Sequence, residues 1–352
     1  MGFVETEEEI EELKRMIVAC VHLPRRKDHH HRHFQASRLS SSEFDLGDNL
    51  VCVTSGASFL GIAIVNTLLS RGYSVRIILH TQEEMENLRD FEINGSVQPV
   101  MAKLTEIDNL IEAFQGCRAV FHTAAFTDPA GLSGYTKSMG EVEVKACENV
   151  IRACSRTASV RSCVLTSSLV SCIWRDATIE DFSPVINHDS WSDESLCIDK
   201  KLWYALGKVK AEKAAWRIAK ETGLKMASIC PGLITGPDFF HRNSTATIAY
   251  LKGAQEMYKD GILATVDVMK LAEAHACVFE ALNKTAFGRY ICFDQVIERE
   301  DDAENLAKQI GLPASKICGG DPYNYTALPF HLSNKKLLNL MSTTLASCAN
   351  QT

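Results

Sequence analysis

The sequence predicts an α/β fold, a doubly wound parallel sheet with a smaller C-terminal lobe. Three observations predict it. Short β-branched runs alternate with amphipathic segments of ten or more residues between Asn49 and Cys230. The first unit, Asn49–Leu69, reads as strand, tight turn and helix. After Pro231 the alternation loosens into shorter elements broken by turns such as Gly236-Pro237.

Within the first unit, Leu50–Val53 is an apolar run long enough for one buried strand. Thr54–Ser58 is small and turn-forming, and Leu60, Ile64, Val65 and Leu68 then recur at helical spacing. A helix N-terminus behind a strand and a tight turn is where a dinucleotide's pyrophosphate rests. Gly61 allows helix and strand to pack closely, but Ser55 and Ser58 stand where turn glycines are expected, with a displaced Gly56. Ser74–Leu79, Val97–Met101, Ala119–His122, Cys163–Thr166 and Met226–Cys230 read as the following strands. Ile107–Phe114, Gly140–Arg156 and Leu202–Thr222 read as the intervening helices. Beyond them, Ser244–Leu251, Val268–Leu282, Glu304–Ile310 and Asn334–Met341 are expected to be helical, and Tyr290–Phe293 a strand. Three units follow: a helix and linker over 1–48, a nucleotide-binding domain over 49–235, and a smaller lobe over 236–352.

Ahead of the sheet, Thr6–Val21 has a helical pattern, and Arg25–Ser42 has a linker's composition. The run His29–His33 lacks carboxylate or cysteine support, so a solvated linker is the expectation and no metal is assigned. A net charge of −7 argues against a polyanion-binding surface, and hence against nucleic acid. No run approaches the roughly 18 apolar residues that cross a membrane. The acidic N-terminus resembles neither a secretory signal nor a transit peptide, which leaves the cytoplasm as the expected location. Thirteen irregularly spaced cysteines without a C-x-x-C pair read as reduced thiols.

The chemistry concentrates in Lys201–Lys213, where Tyr204 and Lys208 lie four apart on one helix face. A phenol beside an ammonium suits proton transfer to a carbonyl oxygen that receives a hydride, because the ammonium stabilises the phenolate left behind. Such pairs also arise by chance. The supporting piece is Thr166-Ser167-Ser168 after the fifth strand, where a hydroxyl points into the crevice and donates to a developing oxyanion.

These residues carry a resemblance. V-C-V-T-S-G-A-S-F-L-G (Val51–Gly61), F-H-T-A-A (Phe121–Ala125), V-L-T-S-S (Val164–Ser168) and K-L-W-Y-A-L-G-K (Lys201–Lys208) occur in family order, with C-P-G-L-I-T-G-P (Cys230–Pro237) after them. The chain resembles the extended short-chain dehydrogenases/reductases, specifically the plant cinnamoyl-CoA reductase-like and dihydroflavonol reductase group, including a defence-associated branch. The resemblance implies a Rossmann-type sheet and NADPH as cofactor. It implies Tyr204 as catalytic acid, Lys208 as its electrostatic partner and a ribose ligand, and Ser168 as the group polarising the carbonyl. The implied cofactor-binding set opens with Thr54, Ser55, Gly56, Ser58, Phe59 and Leu60, with Arg76, His80 and Leu104 towards the adenosine end. Ala124, Ala125, Ser167, Pro231 and Leu233 complete it, together with Tyr204 and Lys208.

The departures from the family pattern gather at the adenosine end. His80 replaces an arginine that selects NADPH, Glu86 replaces a lysine, and Lys103 replaces an aspartate that contacts adenine. Glu83, Glu84 and Glu86 would repel a 2′-phosphate, which Arg76 or Lys103 would attract. Leu202 replaces the asparagine opening a signature associated with coenzyme A thioesters. Two readings follow. One is a reductase of a small phenylpropanoid-type carbonyl, such as a hydroxycinnamoyl-CoA thioester. The other is a weakly active or inactive reductase-fold protein with a binding role in defence.

Overall fold

The computed structural model describes residues 49–86, 92–123, 135–175, 183–282, 284–319 and 330–349, with side chains described through residue 343. The helix expected over Thr6–Val21, the histidine run and the pair Ala124 and Ala125 lie outside the described residues.

Seven strands form one parallel sheet: β1 (Leu50–Val53), β2 (Ser74–Leu79), β3 (Val97–Met101), β4 (Ala119–His122), β5 (Ser162–Thr166), β7 (Lys225–Pro231) and β10 (Gly288–Cys292). Their order is β10-β7-β5-β4-β1-β2-β3. The chain first builds outward from β1 through β2 to β3, then returns to β4 on β1's other side and builds the opposite way. The order therefore reverses between β1 and β4, and the crevice at their carboxyl ends is where ligands settle in such sheets.

Alternation along the strands covers both faces. Val51 and Val53 face one apolar layer with Ile64, Leu68 and Ile77, while Cys52 faces another with Ile78, Phe114, Ile151 and Ile218. Both layers are closed by helices: α1 (Phe59–Ser70), α2 (Gln82–Glu86), α3 (Ile107–Phe114), α4 (Lys137–Arg156), α5 (Val170–Ile173), α6 (Glu194–Asp199) and α7 (Trp203–Thr222). The expected strands and long helices appear, shifted at their ends by up to four residues except where the last helix runs on from Lys335 to Ala349; α4 starts at Lys137 because the Thr136 hydroxyl accepts from Met139 N. Ten of the eleven described cysteines are buried and all eleven are free, which suits their reading as small apolar residues.

The last third contributes both to the main sheet and to a smaller set of elements beside it. Helices α8 (Phe239–Arg242), α9 (Ser244–Leu251) and α10 (Ala254–Lys259) do lie apart from the main sheet's sequence of strands. Strands β8 (Leu233–Thr235), β9 (Ala264–Asp267) and β11 (Gln295–Val296) form a three-stranded sheet, and β6 (Val185–Ile186) pairs with β12 (His331–Leu332). Yet α11 (Val268–Ala281) packs on α1 and β5, and β10 joins β7 as the edge of the main sheet. Tyr290, fully buried in β10, and the Arg71 salt bridges from α1 to Glu273 and Glu280 in α11 tie that third to the main core. Helices α12 (Glu300–Ile310), α13 (Ser315–Cys318) and α14 (Lys335–Ala349) complete the chain. Asp267 caps α11, its carboxylate accepting from Met269 N and Lys270 N. No described helix is long and apolar enough to cross a membrane, and the described residues hold no metal-binding cluster.

Candidate active site

Tyr204 and Lys208 sit in the first turns of α7, and the Lys208 ammonium lies 5.6 Å from the centre of the Tyr204 ring. Ser168, just past the carboxyl end of β5, lies close enough to the Tyr204 phenol to lower its pKa, and its hydroxyl accepts from Val170 N at 3.4 Å. Phenol, ammonium and hydroxyl are therefore neighbours near the carboxyl edge of the sheet. Burial pushes the Tyr204 phenol above its ordinary value; Lys208 pulls it back, Glu143 pushes it up again, and Ser168 lowers it.

One partner was not legible from the motif. The Lys208 ammonium is 2.5 Å from a carboxylate oxygen of Glu143 on α4, and both side chains are nearly fully buried. The other oxygen of Glu143 accepts a hydrogen bond from the Tyr135 hydroxyl. The Tyr135 ring meets Tyr204 edge-to-face at 5.0 Å. Two glycines make this approach possible. A Cβ on Gly207 would stand 3.1 Å from Gly140 Cα and 3.0 Å from the Tyr135 hydroxyl, so α4 and α7 cross closer than larger residues allow. Burial opposes the Lys208 charge, but Glu143 outweighs it and holds the ammonium protonated. The sequence did carry a signal for Glu143: it shares a stripe with Cys147, Val150 and Cys154, where a carboxylate needs a partner.

Beneath the phenol lies a second charged group. Glu212 accepts from Ser167 at 2.7 Å, Ser171 at 3.0 Å and Ser228 at 2.5 Å, and from Arg289 Nε at 2.8 Å. Burial opposes its charge, yet Arg289 and the serine hydroxyls hold the carboxyl below its usual range. The Ser167 hydroxyl is thus engaged by Glu212, beside the space that Lys208 and His122 also line. A cavity of about 10 Å³, room for one water, separates the two carboxylates.

The turn after β1 satisfies its own hydroxyls. The Thr54 hydroxyl accepts from Thr123 N and shares a hydrogen bond with His122 Nδ1 at 3.0 Å, strapping β1 to β4. His80 Nδ1–H donates to the Ala102 carbonyl at 3.3 Å, so its Nε2 accepts from the Ser55 hydroxyl at 3.0 Å. Ser58 caps α1, accepting from Gly61 N and donating to the Ser55 carbonyl. Intrahelical geometry still leaves the N–H groups of Phe59 and Leu60 without a helical partner. The cradle is tight: a Cβ on Gly61 would lie 1.8 Å from the Ser55 carbonyl oxygen, and one on Gly56 would lie 2.5 Å from Ile77. At the facing end of β4, the Thr123 hydroxyl is buried without a hydrogen-bond partner. A close-packed turn, open N–H groups and an orphaned hydroxyl across the crevice together fit a dinucleotide.

At the adenosine end two expected roles change. Arg76 points away from the crevice; its guanidinium donates to the Ala113 and Gln115 carbonyls at the end of α3 and to Gln98. Arg76 is therefore not placed to meet a 2′-phosphate. Lys103 pairs with Glu106. Glu84 turns back on the strand end, accepting from His80 N at 2.6 Å and Thr81 N at 3.3 Å, while the Thr81 hydroxyl accepts from Glu84 N, a capping box. Leu104 is buried, and Pro231 and Leu233 are buried at the ends of β7 and β8. Leu202 is the N-cap of α7 and offers no side-chain hydrogen bond; it is buried in the core.

The 3-beta hydroxysteroid dehydrogenase/isomerase family model matches residues 52–286. The chain belongs to this family. Within the dehydrogenase/isomerase family it is 34% identical over 312 residues to cinnamoyl-CoA reductase 1 of Petunia hybrida, covering 86% of this chain and 90% of that one. It is 31% identical over 284 residues to tetraketide alpha-pyrone reductase 1 of Arabidopsis thaliana, covering 77% and 85%. The fold matches vestitone reductase from alfalfa, Medicago sativa, with a TM-score of 0.59 at 22% identity over 86% of this chain and 98% of that one. It also matches the yeast methylglyoxal/isovaleraldehyde reductase complexed with NADPH, with a TM-score of 0.63 at 22% identity over 83% and 93%. A reductase role is supported by this membership. In this family member the sequence reading also misses Arg242, whose guanidinium stacks 5.1 Å over the Phe59 ring at the first turn of α1.

Proposed function

We propose that the protein is an NADPH-dependent reductase of a phenylpropanoid-type carbonyl, with a hydroxycinnamoyl-CoA thioester as the substrate class. The observation that carries this reading is the convergence of Ser168, Tyr204 and Lys208 at the switch-point crevice, opposite the glycine-tight turn. The names of the reductase relatives support the substrate class.

The turn N–H groups of Phe59 and Leu60 would hold the pyrophosphate, with Thr123 and Lys208 towards the ribose and nicotinamide, Pro231 and Leu233 flanking the ring. The bound cofactor supplies a hydride. Tyr204 gives its proton to the substrate carbonyl oxygen, and Ser168 donates a hydrogen bond to the same oxygen as charge develops there. Lys208 stabilises the phenolate that remains. With a thioester the product of this step is a hemithioacetal, whose hydroxyl returns a proton to Tyr204 as it collapses to aldehyde and the thiolate of coenzyme A, which takes up a proton from water. Burial holds His122 neutral, its pKa lowered to about 3 by burial, then by Lys208 and His80, so it acts as a strut and not as an acid.

Titration with NADPH and NADH, followed by nicotinamide fluorescence, tests the reading. NADPH binding is expected; the Glu84 carboxylate at the end of β2 favours NADH as the second outcome. Binding of neither would leave the non-catalytic role in defence as the standing alternative. Where binding is seen, Tyr204→Phe should lower turnover of feruloyl-CoA by about 10²–10⁴-fold, and unchanged turnover would discard Tyr204 as the acid.

A further inference from the structure

We propose that Glu143 is a charge-compensating positioning residue, whose carboxylate anchors the Lys208 ammonium and thereby keeps the Tyr204 phenol in its proton-bearing form. The consequence for catalysis rests on the reductase reading; the electrostatic coupling stands on geometry alone.

Among the described residues, the ionisable groups around the phenol can each be assigned a state. From α7 itself come Lys208 and Glu212, and Glu212 is committed to Arg289 and three serine hydroxyls. From α4 come Glu143 and Cys147, and burial pushes the Cys147 thiol up to the neutral form. Tyr135 is held neutral by burial and by the carboxylate it donates to, and Tyr250 by burial. From β4 comes His122, neutral through burial. Among the described residues that leaves one cation and one anion in play. Lys208 and Glu143 act on Tyr204 in opposite directions, and Glu143 stands the nearer to the ammonium.

A lysine alone under a catalytic tyrosine draws the phenol towards phenolate at rest. Pairing that lysine with a buried carboxylate restores the acid form that donates to a carbonyl. The pair also fixes the ammonium: Lys208 is only 5% exposed, with its nitrogen directed at α4. Tyr135 holds the carboxylate from its other side, so the anchor does not swing. The Gly140–Gly207 crossing that permits the pair has no other evident product.

The test is a pH titration of phenolate absorbance on the full chain without cofactor, each variant read as a difference against the same background carrying Tyr204→Phe. Glu143→Gln removes the anion and keeps the shape; the Tyr204 midpoint should fall by about one pH unit or more. Lys208→Gln should raise it, and the double variant should return it towards the unmodified protein. A purely structural role would not give shifts of opposite sign that cancel. No shift in Glu143→Gln, or a shift upward, overturns the proposal. Should Glu143→Gln alone fail to fold, the charge-neutral double variant replaces it: adding Glu143→Gln to Lys208→Gln must still lower the midpoint, and no change there overturns the proposal equally. A phenol that responds in a protein that binds no nicotinamide would sink the reductase reading and leave this coupling intact.

Discussion

Helix α7 carries two buried ion pairs one turn apart, and they are built differently. Glu212 receives a two-nitrogen fork from Arg289 and three serine hydroxyls, and Arg289 also reaches the Ser190 carbonyl and stacks 3.6 Å from the centre of Trp191. Lys208 has Glu143, and Glu143 has Tyr135 in addition. The first pair joins β5, β7, β10, α5 and α7 and is saturated with hydrogen bonds. The second is sparse, borders the crevice, and looks onto a phenol. A saturated pair holds a fold, because every lone pair lost to water is replaced. A sparse one leaves its field free to act on a neighbour.

The largest expected effect breaks the saturated pair. Arg289→Met leaves Glu212 charged and buried, and should cost about 3–5 kcal/mol of unfolding free energy, read as a fall in the denaturant midpoint. A loss under about 1 kcal/mol would show the network to be dispensable and the contrast between the pairs to be empty.

Acid is the next probe, and it separates charge from packing. His275 in α11 is wholly buried; burial lowers its pKa to about 4, with Nδ1–H donating to the Leu271 carbonyl and Nε2 accepting from Thr166. A histidine whose folded pKa lies below the unfolded value of about 6.5 binds more protons unfolded, so stability falls as pH drops through that window. The slope is about 1.4 kcal/mol per pH unit for each such histidine, giving about 3 kcal/mol for His275 by pH 4. His122, lowered to about 3, extends the loss further down. The carboxylate of Glu212, whose pKa is lowered, contributes only below the ordinary carboxylate range. A stability profile flat between pH 6.5 and 5 would contradict the buried neutral imidazoles, and His275→Gln should flatten part of the slope.

How much of this was open to sequence reading depends on the range of the interaction. Strands β1 to β5 and β7 follow from local apolar runs, and Tyr204 with Lys208 from helical spacing. Ser168 follows from its place after a strand. What sequence spacing does not show is which side chain meets which across the sheet. Ser167 and Ser168 are neighbours with different partners, one engaged by Glu212 and one beside the Tyr204 phenol. Arg76 lies in β2 with apolar neighbours, and nothing local reveals that the end of α3 consumes its guanidinium. The last third meets the same limit: β10 is nearly sixty residues beyond β7 in sequence and is its neighbour in space.

A smaller effect sharpens the turn that faces both pairs across the crevice. Gly61→Ala puts a Cβ against the Ser55 carbonyl, so strand and helix must part; about 1–3 kcal/mol of stability is expected to go. Nicotinamide binding should weaken with it, since the N–H groups of Phe59 and Leu60 shift with the helix. Lost stability with unchanged cofactor affinity would place the pyrophosphate elsewhere.

The smallest expected effect is a control on the same helix. Lys213 pairs with Glu194 at 2.7 Å, but the lysine is 46% exposed and the carboxylate 35%. Water already solvates both ends, and salt screens what remains, so Lys213→Ala should change stability by about 0.2–1 kcal/mol at most. Lys213 also lies 5.6 Å from the centre of the Trp191 ring, the same ring on which Arg289 stacks from within. If Lys213→Ala cost as much as Arg289→Met, the Trp191 ring and not the Glu212 carboxylate would be the element both cations serve. The difference between the two losses therefore measures what burial and hydrogen-bond saturation add to a charge pair along one helix.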